Sequence, residues 1–315
     1  MAGLAPVCVY LYEGLGNQLF QYAAGRSLAS RLGARLILDA SSFRRPGERR
    51  RFALDGYAID AAVVDDGAPP YPILDFPGGP IRRQLRHWRR RLGDGDWRRP
   101  RSQGSLDPDD PSIFPLFRER NFDYDRRFAE LRAPVSLVGH WQSEKYFAPV
   151  AAAIRSEIRL KAPPEGENAR WLAALEGQDA VCVHVRRGDY LSGPAFRAHG
   201  LCSPAYYAGA MALIRQRIGN PRFFVFSDDW DWVRRHFTDS DCTPVMANGP
   251  DAPSEELRLM SACRHHVIAN SSLSWWAAWL GGRAGQIVVA PQPWFASARP
   301  TPDLFPEDWS VLARE

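Results

Sequence analysis

The chain has 315 residues, 45% of them apolar and 24% charged, and a formal net charge of +4. That length suits two domains of ordinary size, and no window offers the 18 or more uncharged apolar residues of a membrane span. So mild a charge excess does not by itself imply a nucleic-acid partner, and none is expected.

The N-terminal stretch MAGLAPVCVYLYEG has no basic segment before its apolar run and reads directly into a strand. No signal peptide is expected there, and a cytoplasmic protein is. The five cysteines, Cys8, Cys182, Cys202, Cys242 and Cys263, are scattered without a CxxC pair and read as free thiols.

GLGNQLFQYAAGRSL, from Gly14 to Leu28, lies between the apolar runs VCVYLY and RLGARLILD. The order strand, glycine turn, helix, strand is the start of a nucleotide-binding unit, here over residues 7–39. The helix is predicted from about Gln18 to Leu32, with Leu19, Phe20, Ala23, Ala24, Leu28 and Leu32 near one face. Gly14 and Gly16 after a strand, with Asp39 at the end of the next, also admit an NAD- or FAD-dependent oxidoreductase. Against that alternative, Leu19 stands where the dinucleotide fingerprint needs its third glycine, and its side chain would crowd the helix–strand contact.

Residues 41–135 are irregular and rich in Pro, Gly, Asp and Arg. Short helices and long loops with a variable surface are expected there. Within them, residues 82–101 read RRQLRHWRRRLGDGDWRRPR, with nine arginines and with Trp88 and Trp97. An exposed basic helix and loop is the plain reading. The alternative is peripheral contact with anionic membrane lipid or a lipid-linked glycan. From Val135 a strand leads into a polar-aromatic loop; AAAIRSEIRL reads as a helix and KAPPEGEN as a boundary. The domains are accordingly drawn at 1–163 and 164–295, with a tail, 296–315, crossing back to the first.

The second half has strands at 180–185, 223–227 and 266–270, a helix SLSWWAAWL stopped by Gly281-Gly282, and a last strand in QIVVAP. Near-continuous apolar strands fit a parallel sheet buried on both faces. The fold class is therefore α/β, two halves facing each other across a cleft. Trp275, Trp276 and Trp279 lie in an apolar helix and read as core, which weakens the alternative of a non-catalytic glycan- or nucleic-acid-binding protein.

Ligands of an open parallel sheet bind at the carboxyl ends of its strands, and three polar clusters fall there. They are His184-Val185-Arg186-Arg187-Gly188-Asp189, Ser227-Asp228-Asp229 and Asn270-Ser271-Ser272. An arginine fork suits phosphate oxygens, though Asp189 could be its ordinary surface partner. Asn270-Ser271-Ser272 opens a helix, whose first N–H groups and dipole favour an anion, though a plain N-cap explains it too. Asp228 and Asp229 open another helix, where the dipole favours carboxylates, or accept hydrogen bonds from a base or sugar. Together the clusters read as a diphosphate clamp within a nucleotide site. Asp229-Trp230-Asp231 has the D-x-D spacing of some metal-dependent transferases. Its second acid falls in a first helical turn, and the arginines already supply positive charge, so no metal is expected. Cys263-Arg264-His265-His266 lacks a second ligand pair at zinc spacing and reads as a core thiol beside strand-edge histidines.

The ordered set GLGNQLFQYAAGRSL, VHVRRGDY, FSDD and ANSSLSWWAAWL spans residues 14 to 280. It resembles the α-1,2-fucosyltransferases of glycosyltransferase family 11 and, more distantly, the α-1,6- and protein O-fucosyltransferases that share H-x-R-R-x-D. The resemblance implies a GT-B fold of two Rossmann-like domains, GDP-L-fucose as donor substrate rather than a cofactor, inversion at the anomeric carbon, and no required metal. It implies that Arg186 holds the β-phosphate and that His184 touches the nucleoside or the sugar-phosphate side. Arg187 and Asp189 brace that loop, and Asp228, with Asp229 beside it, lies near the guanine or ribose. Asn270, Ser271 and Ser272 meet the phosphates, and Gly14, Gly16, Asn17 and Gln18 form the opposite lip. The acceptor it implies is the O2 hydroxyl of a terminal galactoside, in a surface glycan or a lipid-linked precursor. Where the family commonly has glycine, this chain has Glu13. Asp189, Glu13 and His184 are the candidates for the base that takes the acceptor proton, beside a late proton loss with no dedicated base.

Overall fold

A computed structural model of the chain describes residues 5–65, 114–297 and 299–315. The first half opens with β1 (Pro6–Tyr10), α1 (Leu15–Leu32) and β2 (Arg35–Asp39). Helix α1 begins three residues ahead of the predicted start. Gly14 stays extended as its N-cap, and Gly33, left-handed at φ 58°, ends it. Three short strands follow, β3 (Ala62–Val64), β4 (Leu116–Arg118) and β5 (Val135–Val138). The five form one sheet in the order β3-β2-β1-β5-β4, parallel throughout. In the irregular segment, the described residues carry β3, β4 and single 3₁₀ turns. The basic stretch 82–101, with Trp88 and Trp97, lies outside the described residues.

After α2 (Ala151–Glu157) and α3 (Gly166–Leu175) the second sheet begins with β6 (Ala180–Val185), buried at every position. It continues through α4 (Gly193–His199), α5 (Pro204–Arg217), β7 (Arg222–Ser227), α6 (Trp230–His236), β8 (Cys242–Pro244), α7 (Pro253–Ala262), β9 (His265–Val267), α8 (Ser272–Leu280), β10 (Val288–Gln292) and β11 (Ser310–Ala313). The order is β11-β10-β9-β6-β7-β8, again parallel throughout. Alternation along β6 shows why the run is apolar. Val181, Val183 and Val185 join Tyr206, Met211 and Ile214 of α5 on one face. Ala180 and Cys182 join the tryptophans of α8 on the other. Two parallel α/β sheets facing across a cleft make this a GT-B architecture.

Two expectations are corrected. The strand predicted at 266–270 is β9, and its histidines are central, not at an edge. His265 and His266 are buried, with His266 facing the Met260 carbonyl and Gln286. The tail does not simply cross back. Asp303 does reach the first half, pairing with Lys145 at 2.5 Å and accepting from the Tyr124 N–H. Yet residues 310–313 become β11, because an edge of the second sheet offers backbone partners to a strand that reaches it.

The halves share one core. Phe20 of α1 lies 4.6 Å from Trp275 and 4.9 Å from Trp276, ring centre to ring centre. Phe147 stacks on Trp276 at 5.4 Å. All three tryptophans of α8 are buried, as their apolar helix predicts. No helix among the described residues is long and apolar enough to cross a membrane.

Candidate active site

The cleft between the sheets has a volume of about 2280 Å³. A pocket for one small ligand is roughly 300–1,000 Å³, so this cleft is larger than one small ligand needs. Its second-half wall is the carboxyl edge of β6, β7 and β9, with His184, Arg186, Asp189, Asp228, Asn270, Ser271 and Ser272 among its lining. From the first half come Glu13, Gly14, Gly16 and Asn17. Arg186 and Ser272, apart in the chain, therefore face one space.

Past β6 successive side chains take opposite directions, which separates the two arginines. Arg186 enters the cleft over the Tyr190 ring. It pairs with Asp189 at 2.7 Å and Asp228 at 2.9 Å, using two of the five N–H donors of a guanidinium. Arg187 turns away and stacks on Trp232, with its Nε donating to Asp229 at 2.9 Å. Asp229 also caps α6 by accepting from the Trp232 N–H. Arg187 and Asp229 thus brace the fold and do not line the cleft. Asp231 of the D-x-D pairs with Arg234. Asp228 accepts from the N–H groups of Arg187 and Gly188 at 2.7 and 3.0 Å. It is the strut of the Arg186 loop rather than a group free to read a base.

His184 is 5% exposed, and burial pushes its imidazole down to about 4, so it is neutral. Its Nδ1 is buried without a partner. Asn270 lines the cleft, but its amide is committed to the carbonyls of His199, Gly200 and Trp294. Ser271 precedes α8 and makes no side-chain cap, which leaves the hydroxyl and the helix N-terminus to an anion.

The first-half lip departs from expectation at Gln18, which is fully buried. Its amide donates to the carbonyls of Glu13 and Arg51 and accepts from the Ala53 N–H. The backbone N–H groups of Asn17 and Gln18 both donate to Gly14, so neither is offered to a ligand. Gly16 serves a contact between protein elements. A Cβ there would lie 2.5 Å from both Ser272 Oγ and Leu273 N, so the glycine lets α1 press against the start of α8. Gly16→Ala is expected to lower stability by about 1–3 kcal/mol through overpacking, because Ser272 and Leu273 must shift to make room. Denaturant melts check the effect, and an unchanged midpoint would remove the glycine's role.

Arg50 was missed by sequence reading. It reaches across the cleft to Asp189 at 2.8 Å, beside Arg49 and Arg51 on the same lip. The run ERRRF at 48–52 was the available signal, hidden inside a segment read as variable surface. Also missed were His140, 3.4 Å from Glu13, and Glu119. Glu119 accepts from the N–H groups of His140 and Trp141, and burial pushes its carboxyl up to about 7.

The family model for glycosyl transferase family 11 matches residues 126–313. The chain is 30% identical over 313 residues to an α-1,2-colitosyltransferase of Escherichia coli, covering 97% of this chain and 98% of that one. It is 32% identical over 189 residues to galactoside α-(1,2)-fucosyltransferase 1 of Ateles belzebuth, covering 56% and 52%. Among solved structures it is similar to the fucosyltransferase NodZ from Bradyrhizobium, with 15% identity, a TM-score of 0.48, and coverage of 88% and 93%. With a family model that takes in the whole second sheet, and a relative matched almost end to end, the chain belongs to glycosyl transferase family 11.

Proposed function

We propose that the protein transfers L-fucose from GDP-L-fucose, with inversion, to the O2 hydroxyl of a terminal galactoside in a surface glycan or its lipid-linked precursor. One observation carries this reading. A single cleft brings the Arg186 fork and the N-terminus of α8 to the same space, opposite a lip bearing Arg49, Arg50 and Arg51. Charge building on the leaving diphosphate meets a guanidinium already held by Asp189 and Asp228 and a helix dipole already aimed, so little reorganisation is needed as the bond breaks. Neutral His184 suits contact with the uncharged nucleoside. The arginines supply the positive charge that a divalent cation would otherwise bring, so no metal is required in this reading. The five unpaired cysteines support a reducing, cytoplasmic setting.

A second donor is favoured by the similarity to the E. coli colitosyltransferase. Colitose is L-fucose without its 3-hydroxyl, so the choice turns on whether a protein group bonds that hydroxyl. Calorimetric titration with GDP, GDP-fucose, GDP-colitose, UDP and NAD, with and without EDTA, tests the reading. Product linkage analysis on a galactoside acceptor follows. GDP and GDP-fucose are expected to bind, and transfer is expected to survive EDTA. Preference for UDP or NAD would sink the donor assignment, and preference for GDP-colitose would move it to the second sugar.

A further inference from the structure

Glu13 has a backbone conformation rare for its residue type. Its φ is +68°, in the left-handed region where a Cβ meets the following carbonyl and glycine alone is unstrained. Among the described residues, one other non-glycine residue has positive φ, Trp141 at 57°. The two come from separate chain segments and converge on one contact. The Glu13 carboxylate faces His140 Nε2 at 3.4 Å, and His140 is the neighbour of Trp141. Glu119 holds that second strained turn by accepting from the N–H groups of His140 and Trp141. Strain kept at two places around a single contact points to a use for the contact.

The surroundings indicate what the use is. Asn17 Nδ2 donates to the Glu13 carboxylate, and Asn17 Oδ1 accepts from Gln142 Nε2 at 2.8 Å. The Glu13 side chain stays 50% exposed in the cleft, while His140 behind it is 20% exposed. His140 Nδ1 faces the Tyr12 hydroxyl at 3.4 Å. The other candidate bases are less available. Both oxygens of Asp189 are taken by Arg186 and Arg50, and His184 is buried.

We propose that Glu13, oriented by Asn17 and backed by His140, is the base that deprotonates the acceptor hydroxyl. This rests on the glycosyl transfer proposed above. The acceptor oxygen forms its bond to the anomeric carbon, and the bond from that carbon to the β-phosphate oxygen breaks, its electron pair leaving on GDP. The acceptor proton passes to Glu13 and on to Nε2 of a neutral His140.

The charged neighbours set the pH dependence. Burial would raise the Glu13 carboxyl, but His140, His199 and Arg50 outweigh it and hold the group below its ordinary value. Burial would lower the His140 imidazole, but Glu13 and Glu119 outweigh both burial and Arg299 and hold it above its ordinary value. Glu13 is therefore ionised at neutrality. His140 becomes neutral, and able to take the proton, only as pH rises through that elevated value, so turnover rises with it.

Full-length Glu13→Gln, Glu13→Gly and His140→Gln variants test the assignment, with GDP affinity measured by calorimetry beside turnover. Glu13→Gln is expected to keep GDP affinity within about threefold and to lose at least about a hundredfold in kcat, the scale of a general base. Glu13→Gly, freed of the left-handed strain, melts no lower than the parent and shows the same loss. His140→Gln keeps GDP binding and loses the acid limb of the kcat/KM profile. Parent-like turnover in Glu13→Gln, or an unaltered acid limb in His140→Gln, overturns this proposal alone. So does a fall in the melting temperature of Glu13→Gly with turnover retained. A parent enzyme that transfers from no GDP-sugar overturns the donor reading and this base with it.

Discussion

Arg186→Ala is expected to lower turnover by at least about a hundredfold, the scale for removing one donor to a developing oxyanion. The reason is local. Arg186 is the one guanidinium that leaves the end of β6 for the cleft and is held there by two carboxylates. Its neighbour Arg187 points to Trp232 and cannot take over. Arg186→Lys keeps the charge without the planar fork and should recover only part of the loss. Initial rates at saturating donor, with a melting curve to confirm folding, make the measurement. Asp189 keeps Arg50 and Asp228 keeps two backbone N–H groups in the variant, so the loop retains support. Near-parental activity in Arg186→Ala would falsify the clamp.

Trp276→Ala is expected to destabilise the whole chain by about 3–5 kcal/mol, as for other buried aromatic truncations. That is a large part of the roughly 5–15 kcal/mol that holds a typical protein folded. Trp276 is fully buried and packs between Phe20 and Phe147 of the first half, so the cavity opens in the seam between the sheets. Because one apolar cluster runs through both halves, urea unfolding should remain a single transition with a lower midpoint. Two separated transitions in the parent would show that the halves fold independently and that the seam is not shared core.

Much of the second half is legible in the sequence. Strand 180–185 and helix 272–280 stand where their apolar runs put them, because a buried parallel strand and an aromatic core helix carry their own signal. The first half was legible where the glycine turn and α1 impose order. It was not legible in the described parts of 41–135, where short strands depend on pairing with distant residues. Within the site, the sequence marks the clusters at strand ends but does not sort their members. Arg186 and Arg187 are alike in type and adjacent in sequence, and only the turn after β6 sends one into the cleft and the other onto Trp232.

By itself the order of residues determined the class of fold, since periodicity and local turns encode it over short spans, and it carried the motifs of the family directly. Tertiary structure alone decided which polar groups are spent on the protein itself, as with Gln18, Asn270, Arg187 and Asp229. It alone brought Arg50 to Asp189 and His140 to Glu13. Those pairings join segments far apart in the chain, and hydrogen-bond capacity can be assigned only when the partners are in reach.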